Sequence, residues 1–235
     1  MASGADRVFI GDYNSLPVEN GRKLRLAVAN DCESTNVKWG GKGIVNPYLE
    51  NGELAALDDF PLFARYLFDN EVALKKRHTA KKQPLKWYKT IDRIYPAMVG
   101  EPKLLIPDIK GEAIVSYDEG HCYPHHNLYV ITSDIWNLRA LQAILRSSVS
   151  LLFVAAYCVR MAGGFLRFQA QYLRRIRVPN PTTLTSTQVE ALINVAESPV
   201  QSVVDDVVFP LYGLSSEESG QIREFADAAR QRRKA

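Results

Sequence analysis

Cysteine is scarce in these 235 residues: Cys32, Cys122 and Cys158 are odd in number and far apart, which argues against a disulfide framework and for a reducing, cytoplasmic compartment. No apolar run is long enough to span a bilayer. The most apolar segment, Ser147 to Val159, is bracketed by Arg146 and Arg160 and reads as a buried helix, so no membrane partner is expected. The opening residues, MASGADRVFI, lack the basic-then-apolar order of a secretory leader. Acidic residues are missing from a long stretch: none lies between Asp134 and Glu190, while Arg139, Arg146, Arg160, Arg167, Arg174, Arg175 and Arg177 all fall inside it. A glycine-rich cofactor loop between a strand and a helix is also absent from the residues before Asn46.

A composition that is 46% apolar is that of a chain that buries a core. A net charge of +3 says little by itself, but its distribution says more. Besides the arginine-bearing stretch, the run KKRHTAKKQPLKWYKTIDR sets Lys75, Lys76, Arg77, Lys81, Lys82, Lys86, Lys89 and Arg93 against Asp92 alone. Two such stretches imply one strongly positive face, the footprint of a phosphate-backbone partner. Aromatic residues interleave with the cations. Trp87 and Tyr88 lie in the lysine run, Trp39 stands beside Gly40-Gly41-Lys42-Gly43, and Phe165, Phe168 and Tyr172 lie among the arginines. Cations of this kind neutralise phosphates, and Arg forks and flat rings reach base edges; buried core positions are the alternative for Trp87 and Phe168.

Short β-branched runs, RVFI, LRLAVA and GIVNPY, read as strands, as do KLLIPDI, AIVSYD and NLYVIT further on. PLFARYLFDNEVALKKRH has helical spacing, with Pro61 in the first turn and cations at the C-terminal end. A single long helix is expected from Ile135 to Ala162, stopped by Gly163-Gly164. Beyond Pro179 and Pro181, helices are expected from about Ser186, divided at Pro199, and from Ser215. The expected fold is α+β: a mixed, twisted sheet with packed helices over residues 1–180, and a small helical extension over 181–235 packing on it.

Asn46-Pro47-Tyr48 resembles, one proline short, the Asn-Pro-Pro-aromatic signature of enzymes that methylate an exocyclic base amine. Those enzymes place a cofactor loop and an acidic strand end upstream of the signature, and too little chain precedes Asn46 for them here. A structural turn is the expectation. His121, Cys122, His125 and His126 in HCYPHH are zinc-like ligand types, but one six-residue stretch is an awkward tetrahedral cage. Neither Gly-x-Ser-x-Gly nor a nuclease-type carboxylate set is present, so no catalytic residue is assigned to this chain.

SGADRVFIG, NPYLENGEL with FPLFARYL, PLKWYKTI, KLLIPDI, LQAILRSS, AGGFLRFQAQYLRRIRVP and LYGLSSEE occur in this order over nearly the whole chain. In that combination the chain resembles the TaqI-type C-terminal specificity domain of N6-adenine DNA methyltransferases and fused restriction-modification enzymes. The resemblance implies a non-catalytic, prokaryotic domain that grips double-stranded DNA and reads its major groove. S-adenosylmethionine would belong to a methyltransferase catalytic domain present in cis or in trans. It also makes Met1 look like an artificial start. On this reading Lys81, Lys82, Lys86 and Lys89 contact phosphates, Arg160, Arg167, Arg174 and Arg175 contact phosphates or guanine, and Trp39, Lys42, His125 and His126 stand near base edges. Two other readings stay open: a metal-dependent enzyme centred on His121 to His126, and a protein-interaction module whose basic face docks an acidic partner.

Overall fold

The computed structural model describes residues 3–108, 114–158 and 169–231. Seven strands are formed among them: β1 (Ile10–Asp12), β2 (Lys23–Ala27), β3 (Lys42–Val45), β4 (Lys103–Pro107), β5 (Ser116–Asp118), β6 (Tyr123–Pro124) and β7 (Leu128–Ile131). They make two sheets, of order β1-β3-β2-β6 and β5-β4-β7, and with the helices around them confirm an α+β fold. The chain divides into two units. The first is Met1–Asp31, Trp39–Glu101 and Glu119–Asn127; the second is Cys32–Lys38, Pro102–Asp118 and Leu128–Ala235.

In the first unit β1 and β2 both pair antiparallel with β3, while β6 joins β2 in parallel through Leu26↔Tyr123 and Ala27↔Pro124. Of the expected strand RVFI, only Ile10 is strand, at the start of β1; Arg7, Val8 and Phe9 belong to one helical turn, α1 (Asp6–Phe9), and Val8 and Phe9 face the core. Gly43 lies under Tyr13; a Cβ there would come within 2.9 Å of the Tyr13 Cα, so the sheet needs glycine at that point. Helix α2 (Pro61–Asp69) begins with proline, and Glu19 caps it from far away in sequence. The Glu19 carboxylate accepts from the Leu62 amide at 2.8 Å and the Phe63 amide at 2.9 Å, placing negative charge at the helix's positive end. Phe63, Leu67 and, on α3 (Glu71–Lys75), Leu74 are fully buried with Leu26, Ile44 and Val45. Leu62 on the same helix is 54% exposed.

In the second unit, α5 (Leu138–Arg146) lies between two cores. One side meets the sheet through Leu104, Ile106, Leu141 and Leu145; the other meets α8 (Ser186–Val195) and α9 (Gln201–Val208) through Ala143, Ile144, Leu192, Val204 and Val208. The single long helix expected from Ile135 does not form. It breaks at Ser147 into α5 and α6 (Ser148–Tyr157), bent by 62°. The cause lies elsewhere in the sequence: buried Asp205 on α9 accepts from the Ser148 amide at 2.8 Å and from its hydroxyl at 2.7 Å, capping a new helix start, and Ser147 itself accepts from the Ser150 amide. After a short α7 (Ala170–Leu173), the division at Pro199 appears as read, between α8 and α9. The terminal helix α10 (Ser216–Gln231) opens with Glu217 and Glu218 and sends Ala226 into the core shared by Leu151 and Val154. Among the described residues no single helix is long and apolar enough to cross a membrane.

Candidate nucleic-acid interface

In the first unit the ladder register brings several candidate residues to one end of the sheet. Asp12 ends β1 opposite Lys42, which begins β3; Ala27 ends β2 opposite Pro124, which ends β6, so the adjoining segments emerge together. Trp39 and Lys42 stand there, the indole Nε1 donating to the Lys42 carbonyl at 2.7 Å. Two residues not singled out from the sequence complete the group. The Arg25 guanidinium lies 4.7 Å above the Trp39 ring, and Tyr13 meets that ring edge-on at 5.6 Å. Lys23 sits 4.9 Å over Tyr13 and donates to its carbonyl at 3.0 Å. Arg25 and Lys42 are exposed and Trp39 half-buried. A guanidinium held over an indole face is attracted by the ring's π-system, and its N–H donors suit guanine or phosphate acceptors. The sequence signal for Arg25 was the strand alternation of Lys23-Leu24-Arg25, which puts both cations on one face.

His125 and His126 follow β6 at the same end, the His125 amide donating to the Ala27 carbonyl at 2.9 Å. Their rings lie 4.0 Å apart, and His125 Nδ1 pairs with Asn127 Oδ1 at 2.7 Å. Burial pushes His125 below the usual imidazole range, and neighbouring His126 adds to this against the opposing influence of Asn127 and Asp6. His125 is therefore neutral near pH 7, suited to base edges and not to neutralising phosphates. An unfolded imidazole titrates near about 6.5. With the folded value lower, the folded state binds fewer protons, so this contribution to stability is complete above about 6.5 and is lost as pH falls from there through the folded value. Denaturant unfolding of wild type and His125→Gln between about pH 7.5 and 5 should give a flatter pH profile for the variant; an unchanged slope would contradict the assignment. Among the described residues no group of three or more His, Cys, Asp or Glu is placed to hold a metal ion. Cys122 is buried.

Helix α4 (His78–Lys82) carries Lys81 and Lys82 in its last turn, and a 3-10 turn, Pro84–Lys86, follows. Lys81, Lys82 and Lys86 are exposed and make no ion pair among the described residues; Lys89 is half-buried and donates to Gln83 Oε1 at 2.8 Å. Three other cations of this run have partners within the protein. Arg77 donates to the carbonyls of Leu74, Ser3 and Trp87 at 3.1, 2.9 and 2.7 Å, Lys75 pairs with Glu71 at 2.6 Å, and Arg93 donates to the Asn51 carbonyl at 3.0 Å. Trp87 and Tyr88 are core residues, packed edge to face 5.7 Å apart.

In the second unit Arg174 and Arg175 are exposed, Arg175 lying 5.1 Å over the Tyr157 ring. Arg160 and Arg167, with Phe165 and Phe168, lie outside the described residues. Two arginines of the carboxylate-free stretch leave the supposed positive face. Arg146 is buried and donates to the Ala196 and Ser198 carbonyls beyond the end of α8. Arg139 pairs with Glu197 at 2.7 Å and lies 4.0 Å over Tyr117. In both cases acceptors that end a helix consume the guanidinium.

Asn46 forms a turn. Its Oδ1 accepts from the Tyr48 amide at 3.0 Å, its Nδ2 donates to the Tyr48 carbonyl at 2.9 Å, and Arg22 Nη1 donates to that same carbonyl at 2.9 Å. Both polar ends of this buried side chain are thereby engaged within the turn, which does not fit the holding of a base amine or of a methyl-donor cofactor beside it. Asn46→Ala should lower stability by about 2 kcal/mol, since a buried amide loses its acceptor. Equilibrium denaturation checks this, and a loss below about 0.5 kcal/mol would show the turn to be indifferent to its side chain.

Comparison with known proteins places this geometry. Residues 64–178 match the TaqI-like C-terminal specificity domain, a segment that holds the whole lysine run from Lys75 to Lys89 as well as His125 and His126. The chain is 50% identical over 218 residues to the type II methyltransferase M.XhoI of Xanthomonas vasicola, covering 93% of this chain and 40% of that protein. It is 52% identical over 222 residues to M.PaeR7I of Pseudomonas aeruginosa, covering 93% and 38%, and 43% identical over 224 residues to M.BstVI of Geobacillus stearothermophilus, covering 95% and 40%. The chain thus spans about two fifths of the length of the curated relatives it matches. Its fold is shared with the type IIL restriction-modification enzyme MmeI, solved in complex with DNA, at a TM-score of 0.62 and 12% identity, over 99% of this chain and 35% of that one. The chain, a relative of type II DNA methyltransferases, carries over residues 64–178 a domain of the TaqI-like C-terminal specificity family.

Proposed function

We propose that this chain is the part of a type II restriction-modification methyltransferase that recognises a sequence in double-stranded DNA, and that it has no catalytic role of its own. The observation that carries the reading is the set of exposed lysines, Lys81 and Lys82 at the end of α4 and Lys86 on the turn that follows it, inside the segment matching the specificity domain. Lys89 joins them at the turn's end. These cations supply salt-dependent affinity through phosphates, while Arg25 on Trp39, with Lys42, His125 and His126, supplies donors and acceptors for base edges. Arg160, Arg167, Arg174 and Arg175 add phosphate or guanine contacts from the remainder of the chain. Recognition belongs to residues 1–180, and 181–235 is a helical extension packing on it.

The reaction of the whole protein is N6-adenine methylation. S-adenosylmethionine binds a catalytic domain that acts with this chain in cis or in trans, in the cytoplasm of a prokaryote. The engaged turn of Asn46 and the partial coverage of the methyltransferase relatives support the division of labour. Titration of the purified chain with a random-sequence duplex at rising ionic strength is the test. Affinity that falls steeply with salt supports the reading, and affinity indifferent to salt refutes it.

A further inference from the structure

Leu85 is the most exposed large apolar side chain among the described residues, at 94%. It stands at the middle of the turn Pro84–Lys86, with Lys81 and Lys82 shortly before it in the chain and Lys86 and Lys89 shortly after it. The turn is held from several directions. The Lys86 amide donates to the Gln83 carbonyl and the Lys89 amide to that of Lys86, both at 3.0 Å, Lys89 Nζ closes the turn on Gln83, and Pro84 fixes its first backbone angle. Behind it, Arg77 holds the Trp87 carbonyl at 2.7 Å, and the Tyr88 hydroxyl donates to the Ala55 carbonyl at 2.8 Å. Trp87 and Tyr88, two and three residues on, are sunk in the core, while Leu85 is left outside it. The fold forgoes the gain that covering a leucine would bring and keeps it in solvent among cations.

We infer that Leu85 is a specificity-determining residue, reading a thymine through its C5-methyl group in the major groove. The inference rests on the DNA-recognition reading above. Cations that sit on the phosphates flanking a groove direct the side chain between them at the base edges. There the thymine methyl is the apolar group a base pair offers to an apolar side chain. The contact needs no charge, so it acts on sequence preference and leaves the electrostatic part of binding untouched.

The test uses the full chain and a duplex selected by it from a random-sequence library, resynthesised with each thymine replaced in turn by deoxyuridine. For wild type, one replacement should weaken binding about fourfold, the worth of one buried methyl. Leu85→Ala should bind the thymine duplex about that much more weakly, show no preference between thymine and deoxyuridine there, and keep the wild-type salt slope. Leu85→Met should retain the preference. Because the side chain is in solvent, Leu85→Ala should unfold at the wild-type denaturant midpoint. If Leu85→Ala still discriminates as wild type does, or if no deoxyuridine position affects wild type, the inference is overturned while DNA recognition stands. If wild type selects no duplex and shows no salt-dependent binding, the underlying reading itself has failed.

Discussion

Replacing Lys81, Lys82, Lys86 and Lys89 together by glutamine should lower the slope of log affinity against log salt by about 3 to 4. Each phosphate neutralised on duplex DNA contributes about 0.9 to that slope through counterion release. Raising salt from about 50 to 200 mM should then cost the wild type on the order of a hundredfold more affinity than the variant. The loss should be the same for any duplex, because phosphates carry no sequence. Folding should be spared: three of the four ammonium groups stand in solvent and the fourth holds only Gln83, so the denaturation midpoint serves as the control. Arg77 would be a misleading fifth member. It holds three carbonyls, and its loss would unfold the turn that carries the others. A slope unchanged in the quadruple variant would move the phosphate contacts off this turn altogether.

The second large effect concerns stability. Lys103 begins β4 directly opposite Asp118 at the end of β5, and Nζ lies 2.8 Å from Oδ2 with side chains only 1% and 3% exposed. Lys103→Met takes from the buried Asp118 carboxylate the ammonium that lies 2.8 Å away, and breaking such a pair from one side costs about 3 to 5 kcal/mol. That is a large part of the stability of an ordinary domain. The double variant Lys103→Met with Asp118→Leu should recover most of the loss, because it removes the buried carboxylate together with its ammonium and so leaves no charge to desolvate. Urea unfolding of wild type, both single variants and the double variant closes the cycle. A double variant as unstable as Lys103→Met alone would mean that the pair itself, and not the desolvated carboxylate, holds β4 to β5.

Much of this architecture was legible because its signals are local. The runs at Leu24, Lys103, Ser116 and Leu128 are strands, Pro61 starts a helix, and Pro199 separates two. Asn46 was legible as a turn residue from its side-chain chemistry and the missing proline. What escaped is governed by partners far along the chain. At the break between α5 and α6 the local signal is only the capping serine, Ser147, while the carboxylate that holds the new helix start, Asp205, comes from α9. Arg139 and Arg146 looked like members of a basic face because Glu197 and the carbonyls ending α8 are invisible to a count of nearby charges. RVFI has strand composition, yet its first three residues fit equally well into the single helical turn that sends Val8 and Phe9 inward, and Ile10 alone joins β1. At the candidate interface, the lysine run was visible as charge. The stacking of Arg25 on Trp39 required knowing that β2 and the start of β3 lie side by side.

The parallel pairing of β2 with β6 also dictates an order of events at the ribosome. Leu26 waits for Tyr123, about a hundred residues later, so the first sheet stays one strand short through the synthesis of nearly half the chain. Contacts of such long range form slowly, and until this one forms the outer edge of β2 offers unpaired amides and carbonyls to any extended peptide nearby. Nascent chains arrested before Pro124 should therefore be prone to strand-mediated association, whereas chains released a few residues beyond it can close that edge themselves.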